Sequence, residues 1–585
     1  MSAKKKLSAD KRKQFRAYAA AANEYCRAVV AGEIRACKWV RLACARHLAD
    51  LARSRTEEFK YKFDPIRAGK ACGFIERFPH VKGHWAQNAE RIRLGLWQCF
   101  IVCSIFGWVD KVSGLRRFRQ AVLLVPRKNG KTVLAAGIGL YMFVGDGEPG
   151  AEVYTGAGNK KQAKEVFSPA SKMAKRAEGF KDWFGIEINL ESMQLPDEGS
   201  KFEIVIGTPG DGPSPHCFLH DEFHEQPTWA QYDTARTGMG ARRQPLQLVI
   251  STAGIDIEGP CFTLQEDLKK VLDGTFINDR LFGVVYTVDD PDRLVETPGG
   301  QLPYWATIEA AQEVNPNYGV SVLADYIEAE LKEAIQRPAR QNAYKCKNLN
   351  IWTNARNPWM NMIAWKACAD HSLSMEEFLQ YRCFQGLDLG ARIDLTSRCR
   401  LFVKWQGDQR HYYAFGTHYV PRDRANDGEH QHYERWIKEH RIVDHEGAEI
   451  QLAFVQKEIE AELPQFSDVV LAFDQHQAMQ MQQELRLRLG DAKVLDVPQT
   501  WKYLDPAMKE IEAAVLSGRF HYDGDPVLTW AVGNVFVKPD ANENIFPRKE
   551  DRPNIKIDPA SALFNAMYLA LSAGPQQSPN EMFFV

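Results

Sequence analysis

One octapeptide, VPRKNGKT at residues 125–132, most constrains what this chain can fold into. It lies between a strand-like apolar run, 121–125, and a helix-like run, 133–144. A strand, a short loop ending in Gly-Lys-Thr and a helix predict a phosphate-binding loop, because backbone N–H groups and the helix N-terminus then face an anion. The lysine of such a loop reaches the terminal phosphates, and the threonine hydroxyl holds magnesium. The expected nucleotide contacts are Arg127, Lys128, Asn129, Gly130, Lys131 and Thr132.

The loop departs from the usual pattern at its first position. That pattern has a glycine five residues before Gly130, and Val125 occupies the place here. An ordinary basic turn capped by Lys131 and Thr132 therefore remains an alternative. If the loop does bind phosphate, Arg127 has a catalytic role, because its guanidinium can spread over the developing phosphate charge.

Length and composition set the class of protein. A chain of 585 residues is too long for one core and predicts two or three domains. Its hydrophobic content of 45% and charged content of 25% are typical of a soluble globular protein. Twelve cysteines without paired CxxC spacing indicate reduced thiols in a cytoplasmic setting. The uncharged stretch 94–109 is too short to span a bilayer and predicts a buried helix, so we expect no membrane association. The N-terminus is charged but is not followed by an apolar run, so we expect no secretion signal.

The chain divides into five predicted parts and belongs to the α/β class. Residues 1–65 read as two helices broken near Gly32. Residues 66–347 alternate strand-like and helical runs, which predicts a mainly parallel sheet. Together with the phosphate loop, this sheet is expected to form a P-loop ATPase of the ASCE type. A linker at 348–372 precedes a second α/β region, 373–575, and a tail, 576–585. Residues 1–60 carry an excess of nine basic over acidic residues, which fits either contact with DNA or a solvated helical face.

Two further motifs fit a nucleotide-hydrolysing site. The apolar strand 217–220 ends in Asp221 and Glu222. Beside a phosphate loop, Asp221 would hold magnesium and Glu222 would polarise the attacking water. A third strand, 246–251, ends in Ser251 and is followed by Thr252. In motor ATPases, residues at this strand end lie beside the γ-phosphate. The alternative for Asp221 and Glu222 is an ordinary polar strand end, and the alternative for Ser251 and Thr252 is a simple Ser/Thr turn.

Other candidates near the nucleotide are weaker. Trp97 and Gln98 are expected to end a helical run about thirty residues before the loop. The amide of Gln98 can pair with the edge of adenine, whereas Trp97 can be a core residue. Arg242 and Arg243 precede the third strand and could serve a neighbouring subunit or simply be solvated.

Carboxylates at the ends of elements in the second region form another constellation. Asp388 follows a first strand, Asp474 ends a later one, and Asp558 opens the last helix, with spacings of 86 and 84 residues. This layout matches a ribonuclease-H-like nuclease, in which clustered carboxylates hold two divalent ions, Mg²⁺ or Mn²⁺. Asp394 is an accessory candidate. Helix caps and turns explain each aspartate singly. His476 and His521 are either supporting groups or solvated.

The ordered motifs resemble the large terminase subunit of tailed bacteriophages or their prophage copies. They are PRKNGKT, the strand ending HDE, ISTAG, the linker NLNIW, and then GLDLG, FDQHQ and KIDPA, preceded by GEIRACKWVRLACARHL. The resemblance implies an ATP-driven motor that moves double-stranded DNA into a procapsid and a nuclease that cuts concatemeric DNA. It assigns Lys131, Thr132, Arg127, Asp221 and Glu222 to the motor, Ser251-Thr252-Ala253 to coupling, and Asp388, Asp474 and Asp558 to the nuclease.

The resemblance also implies partners and a location. These are the portal protein, the small terminase subunit, a ring of typically five copies, and the bacterial host cytoplasm with transient docking on the procapsid portal. A trans-acting arginine is not fixed by any motif, and Arg242 is the residue considered. Two alternatives stay open: a helicase–nuclease of DNA repair, and a structural assembly protein that binds nucleotide.

Overall fold

The computed structural model describes residues 7–158, 160–207, 210, 212–257, 259–297, 300–353, 359–390, 395–425, 431–474, 479–537, 540, 543–548 and 556–573. The predicted tail, 576–585, together with Asp394 and His476, lies outside these residues. The chain divides into two compact units, Met1–Ile335 with Ala343–Trp352, and Gln336–Asn342 with Thr353–Val585. Within the described residues, no helix has the length and apolar content needed to span a bilayer.

The first unit is built on an eight-stranded sheet. In spatial order its strands are Leu281–Val285, Gln120–Leu124, Leu246–Ser251, Cys217–Asp221, Glu152–Ala157, Ser200–Ile206, Ser192–Leu195 and Glu187–Ile188. The first six run parallel, and the last two form an antiparallel edge. The mainly parallel sheet predicted from the alternating runs is therefore present. Because parallel strands end at one edge, the loops after Leu124, Asp221 and Ser251 emerge side by side.

Helices that pack on this sheet fill its core with apolar side chains, and the helices from Ile308 onward contribute to a separate apolar cluster. Between residues 9 and 348 they are Ala9–Ala31, Lys38–Arg53, Pro65–Ile75, Gly83–Gln87, Leu96–Gly107, Lys131–Leu140, Lys160–Arg176, Phe180–Phe184, Ala230–Gly238, Pro260–Leu272, Ile308–Val314, Ala324–Gln336 and Pro338–Asn348. The predicted buried helix corresponds to Leu96–Gly107, in which every residue from Cys99 onward is buried. Two short strand pairs, Tyr61–Phe63 with Trp108–Asp110 and Leu294–Thr297 with Gly300–Pro303, complete the unit.

The N-terminal basic segment is part of this core. Its two helices are broken at Gly32, as predicted, because that residue adopts a left-handed φ of 80° and caps the first helix. Ala22, Cys26 and Val29 on the first helix are fully buried and belong to the same apolar cluster as the sheet strands. The basic charges of the segment therefore project from helices whose opposite face is fixed.

The second unit has a mixed seven-stranded sheet. Its strands are, in spatial order, Ile442–His445, Gln409–Pro421, Thr396–Gln406, Arg382–Asp388, Asp468–Asp474 and Val494–Val497, with Phe520–Tyr522 pairing Gln409–Pro421. Three consecutive strands from Arg382 to Pro421 are antiparallel, and Asp468–Asp474 is added parallel to the first. The two strands predicted around 383–389 and 398–405 are thus neighbours.

Helices cover this second sheet. They are Met362–Ala367, Arg422–Ala425, Gln431–Lys438, Leu452–Glu462, Met479–Leu489, Trp501–Leu516, Pro526–Asn534 and Asp558–Ser572. The last helix crosses strand Arg382–Asp388 at Gly386, where an added Cβ would lie 2.0 Å from the carbonyl oxygen of Ala562. A glycine is needed at this crossing because the two backbones touch there.

Candidate functional site

The loop between strand Gln120–Leu124 and helix Lys131–Leu140 turns through two left-handed residues. Gly130, with a φ of 79°, caps the helix, and Lys128 has a φ of 68°. A lysine in this region is strained, and such strain persists where surrounding contacts fix the backbone. Contacts around the loop therefore hold it in one specific conformation.

The side chain of Lys131 turns back into the loop. Its Nζ donates to the carbonyl oxygen of Val125 at 2.5 Å and to that of Pro126 at 3.4 Å. Burial lowers the pKa of Lys131 to about 8, and the nearby carboxylates of Glu222 and Asp221 oppose that shift. A buried ammonium at the start of the helix, facing two acids, is the arrangement expected of a phosphate-loop lysine.

A segment that sequence reasoning missed, residues 315–321, braces the loop. The amide of the fully buried Asn129 donates to Asn315 Oδ1 at 2.7 Å. Asn317 donates its backbone N–H to Asn129 Oδ1 at 3.0 Å and its side-chain amide to the carbonyl oxygen of Asn129 at 3.2 Å. Ser321 Oγ donates to the carbonyl oxygen of Lys128 at 2.6 Å. The Asn129 side chain thus holds the loop, so a phosphate contact from Asn129 would come from its backbone.

Trp97 and Gln98 lie at the start of helix Leu96–Gly107, and the prediction that they end a helical run is wrong. The helix begins after Gly95, whose backbone N–H donates to Gln98 Oε1 at 2.9 Å. A glycine cap has no side chain to mark a helix start, which is why the pattern misled. Trp97 Nε1 donates to Asn317 Oδ1 at 2.8 Å and so extends the brace.

The predicted acidic pair lies opposite the loop. Asp221 ends strand Cys217–Asp221, and Glu222 follows with a left-handed φ of 47°. The backbone N–H of Glu222 donates to Asp221 Oδ1 at 3.0 Å. Burial raises the pKa of Asp221 to about 7, the Glu222 charge adds to the rise, and Lys131 opposes it. Two adjacent acids in a largely buried position are a chemically suitable set of ligands for a divalent cation.

His224 was also missed by sequence reasoning. Its Nδ1 lies 3.2 Å from Glu222 Oε2 and 3.0 Å from Ser251 Oγ, so it stands between the acidic motif and the third strand. The one available signal was its place two residues after Glu222, which on its own predicts nothing.

The end of the third strand is tied to the segment that leads out of the unit. Ser251 and Thr252 are buried and Ser251 pairs with Leu124 of the phosphate-loop strand. The backbone N–H of Ala253 donates to Asn350 Oδ1 at 2.5 Å. Asn350 also donates its amide to the carbonyl oxygen of Tyr286 at 2.7 Å. Asn350 belongs to the NLNIW motif, whose role in the first unit the sequence did not reveal.

Most of these groups line one cavity of about 1170 Å³. Its walls include the predicted residues Gln98, Arg127, Lys128, Gly130, Lys131, Thr132, Asp221 and Glu222. The volume lies just above the usual range for ligand pockets, which is roughly 300–1,000 Å³. Ser251, Thr252 and Asn129 are buried and do not line the cavity, so they would act through neighbours or through backbone groups.

Arg242, the residue considered as a trans-acting arginine, is engaged within its own unit. Its guanidinium pairs with Glu148 at 3.3 Å and Glu152 at 3.2 Å, and it donates to the carbonyl oxygen of Gly150 at 2.9 Å. A role on a neighbouring subunit would require these contacts to break.

In the second unit, the topology brings two of the predicted aspartates to one edge of the sheet. Strands Arg382–Asp388 and Asp468–Asp474 are parallel, with Gly386 opposite Ala472. The same register carried two residues further places Asp388 beside Asp474, at the point where both strands end. Asp558 begins the helix that crosses the strand of Asp388.

The last helix is fixed against that strand by Asn565. Its amide donates to the carbonyl oxygen of Leu387 at 2.9 Å, and its Oδ1 accepts from Gln499 at 3.1 Å. Among the described residues, no group of three or more His, Cys, Asp or Glu side chains is arranged around a possible metal position. The donor set at the edge, two aspartates with a third on the adjoining helix, consists of the hard oxygens that Mg²⁺ and Mn²⁺ prefer.

A buried polar row lies beside Asp388. Ser397 is the cross-strand partner of Asp388, and His418 is the partner of Ser397. Ser397 Oγ lies 3.0 Å from His418 Nδ1, and His418 Nε2 lies 2.6 Å from Asp525 Oδ2. His521 stacks instead on His411, with Nε2 and Nδ1 3.0 Å apart, toward the other end of these strands, so it does not support Asp388.

Comparisons with known proteins agree with this pair of sites. The family model "Terminase large subunit, ATPase domain" matches residues 96–270, and "Terminase large subunit, endonuclease domain" matches residues 310–573. Protein YmfN of Escherichia coli strain K12 is 35% identical over 372 residues, covering 62% of this chain and 79% of the relative. The terminase large subunit of Enterobacteria phage HK97 is 26% identical over 510 residues, covering 83% and 92%.

Among solved structures, the crystal structure of the HK97 bacteriophage large terminase is 23% identical, with a TM-score of 0.42, and covers 86% of this chain and 99% of that one. The assignment of the chain to a family rests on the two family models. They confirm the predicted fold class, a P-loop ATPase followed by a ribonuclease-H-like nuclease, and the two alternatives gain no support.

Membership in this family implies the use of a nucleotide and a divalent metal, with DNA and the packaging machinery as partners. The chain belongs to the terminase large-subunit family and is an ATPase and endonuclease that packages viral DNA and cleaves its concatemers.

Proposed function

We propose that residues 66–347 form the motor domain and that the 1170 Å³ cavity binds ATP with Mg²⁺. The observation that carries this proposal is the shared lining of that cavity by Lys131, Thr132, Asp221 and Glu222. Backbone N–H groups from Lys128 to Lys131 and the helix N-terminus face the phosphates, and Lys131 exchanges its loop carbonyls for phosphate oxygens. Thr132 and Asp221 would hold the magnesium.

Within this site each remaining group has a distinct task. Glu222 accepts a proton from the attacking water, because it follows the buried Asp221 and lines the same cavity. Arg127 is exposed at the cavity wall, where its guanidinium meets charge that develops on the phosphate. Gln98 contacts the adenine edge, and Ser251 and Thr252 relay the loss of the γ-phosphate.

We propose that residues 373–575 form the nuclease domain, with Asp388, Asp474 and Asp558 as the ligands of two divalent ions, Mg²⁺ or Mn²⁺. When bound, such ions activate a water and stabilise the leaving oxygen. The matched register of the strands that end in Asp388 and Asp474 supports this assignment. Asp394 is the accessory ligand of the proposal.

The partners of the proposed motor are double-stranded DNA, the portal protein and the small terminase subunit. We propose that it works in the bacterial cytoplasm as a ring, typically of five copies, docked on the procapsid portal. Light scattering of the chain with purified portal rings tests this: a complex with five copies per portal is expected, and a complex of any other stoichiometry contradicts the ring size.

The test of the motor assignment is Glu222→Gln. It should lower ATP turnover by at least about 100-fold, as the loss of a general base does, while ATP affinity stays within about threefold of the wild type. Glu203→Gln, the same change on a strand of the same sheet and outside the cavity lining, is the matched control. Unchanged turnover in Glu222→Gln defeats the assignment of the base.

A further inference from the structure

His224 joins two motifs that are separated by almost thirty residues. It lies in the short turn Phe223–Glu225 that follows the acidic pair, and its side chain is only 9% exposed. Nδ1 of its ring faces Ser251 Oγ at 3.0 Å and Glu222 Oε2 at 3.2 Å. One ring nitrogen therefore contacts both the proposed base and the end of the third strand, and the other, Nε2, lies 3.4 Å from Glu225 Oε1.

The contacts of Ser251 Oγ favour one tautomer of the His224 ring. Ser251 Oγ donates its single hydrogen to the carbonyl oxygen of Thr252 at 3.0 Å. The same oxygen accepts from the backbone N–H of His224 at 3.0 Å. With its hydrogen on Thr252, the hydroxyl accepts from the ring, an arrangement that the tautomer of His224 with a proton on Nδ1 satisfies. In that tautomer Nδ1 donates to Ser251 and also lies 3.2 Å from Glu222 Oε2.

Few other contacts hold the side chain of Glu222 in place. Its Oε2 is shielded from solvent and makes no well-aligned hydrogen bond within the described part of the chain. Its backbone occupies the left-handed region, with a φ of 47°, which is unfavourable for glutamate. A buried carboxylate oxygen needs a partner, and the ring nitrogen of His224, 3.2 Å away, can supply one after a small rotation.

The space around the ring limits its movement. An added Cβ at Gly254 would lie 3.1 Å from side-chain atoms of both His224 and Trp352. Gly254 therefore packs closely against both side chains, and Trp352 is itself held because its Nε1 donates to Gln265 Oε1 at 3.0 Å. A ring packed this closely can favour Glu222 or Ser251 only through small rotations.

We propose that His224 is a positioning residue for ATP hydrolysis, which holds Glu222 in register with the third strand at Ser251. The inference rests on the proposed role of Glu222 as the base. A shift of Glu222 or of Ser251 is then felt by the other residue, because both contact the same ring nitrogen. Loss of the ring leaves the nucleotide contacts intact and releases the base.

The experiment compares His224→Ala with His224→Asn in the full-length protein. Asparagine keeps a side-chain N–H close to the position of Nδ1, whereas alanine removes it. We expect His224→Ala to lower kcat for ATP by roughly 100-fold, the scale of a misplaced catalytic group, with the ATP Kd within about threefold of the wild type. His224→Asn should recover at least about tenfold of that loss.

The double variant Glu222→Gln with His224→Ala distinguishes a purely structural role of His224 from a role that acts through Glu222. Because His224 acts through Glu222, the double variant should turn over ATP as fast as Glu222→Gln alone, within about twofold. A further tenfold loss, or a kcat of His224→Ala within twofold of the wild type, overturns the inference. So do equal losses in His224→Ala and His224→Asn. Full turnover in Glu222→Gln instead defeats the proposed function, whatever His224 does.

Discussion

Asn350 Oδ1 accepts a hydrogen bond from the backbone N–H of Ala253 at 2.5 Å, inside the first unit. Asn350 is fully buried and has a left-handed φ of 56°, and the hydroxyl of Thr287 donates to its carbonyl oxygen at 2.9 Å. Asparagine is one of the few residues that adopt this backbone easily while offering both a donor and an acceptor. The end of the third strand is therefore anchored by a residue about one hundred positions further along the chain.

Two substitutions of Asn350 distinguish the contribution of its backbone conformation to stability from the contribution of its side-chain hydrogen bonds. Asn350→Gly keeps the φ but leaves Ala253 N–H and the carbonyl oxygen of Tyr286 without their partner, which should cost about 1–3 kcal/mol of unfolding free energy. Asn350→Ala should lose about 1–2 kcal/mol more, because of the left-handed backbone. Urea unfolding followed by tryptophan fluorescence measures both. Equal losses in the two variants contradict the strain argument, and no loss in Asn350→Gly contradicts the anchoring role.

The brace around the phosphate loop predicts an effect on affinity. Asn317→Ala removes the contacts to Trp97 and to the carbonyl oxygen of Asn129. We expect the ATP Kd to rise about tenfold, equivalent to about 1.4 kcal/mol, because the free loop must then be ordered by the nucleotide. Isothermal titration with a non-hydrolysable analogue gives the value. Asn189→Ala, at an exposed turn beside the edge strands, is the control and should leave the Kd unchanged. An unaltered Kd in Asn317→Ala would contradict the bracing role of Asn317.

The nuclease assignment predicts a contrast between two ends of one strand. Asp474 ends strand Asp468–Asp474 beside Asp388, whereas Asp468 begins it and pairs with Arg382 and Lys493. Asp474→Asn and Asp388→Asn should each lower Mn²⁺-dependent plasmid cleavage by at least about 100-fold, because each removes a metal ligand, and should leave ATP turnover intact. Asp468→Asn should cleave at a rate close to the wild type. Cleavage that persists in Asp474→Asn would show that the metal site lies elsewhere.

A buried ion pair predicts a pH dependence of stability. Asp146 lies 2.5 Å from Arg116 and 2.9 Å from His216. Burial alone would raise the pKa of Asp146, but Arg116 and His216 outweigh it and hold the pKa at about 2. Since the unfolded value is about 3.9, the ionised carboxylate stabilises the fold above about pH 4 by about 2–3 kcal/mol, and this contribution is lost as the pH falls toward 2.

The measurement is the difference in unfolding free energy between the wild type and Asp146→Asn at pH 7, 4 and 3. That difference should shrink as the pH falls, on top of a constant loss from leaving Arg116 unpaired. Asp182→Asn, at an exposed position of the same unit, is the control and should show no trend. A difference that stays constant from pH 7 to pH 3 contradicts the low pKa.

The sequence predicted those parts of the site that depend on local pattern. The phosphate loop, the strand ending in Asp221 and the strand ending in Ser251 are each contiguous, and parallel strands bring their ends together automatically. The adjacent ends at Asp388 and Asp474 follow from the same rule. The roles given to these residues, and the domain boundaries at 65, 347 and 372, stay predictions.

The parts that sequence reasoning missed depend on contacts between distant segments. Asn317 reaches the loop from 188 residues away, and Asn350 reaches Ala253 from 97 residues away. Asn317 lies in no motif, and the NLNIW motif does not reveal the partner of Asn350, because a single buried amide can serve any backbone group that tertiary packing places near it. His224 lies close in sequence to Glu222, yet its partner Ser251 is known only once the strands are paired.

All twelve cysteines are free and buried, in agreement with the reduced thiols expected from their spacing. Thiol reagents react with exposed thiolates, and burial raises the pKa of Cys37 to about 11, which suppresses that form at neutral pH. The native cysteines are therefore expected to react little with maleimides at neutral pH. A single cysteine introduced at the exposed Val112 would accept one fluorophore without prior removal of any native thiol, which opens the motor to single-molecule observation.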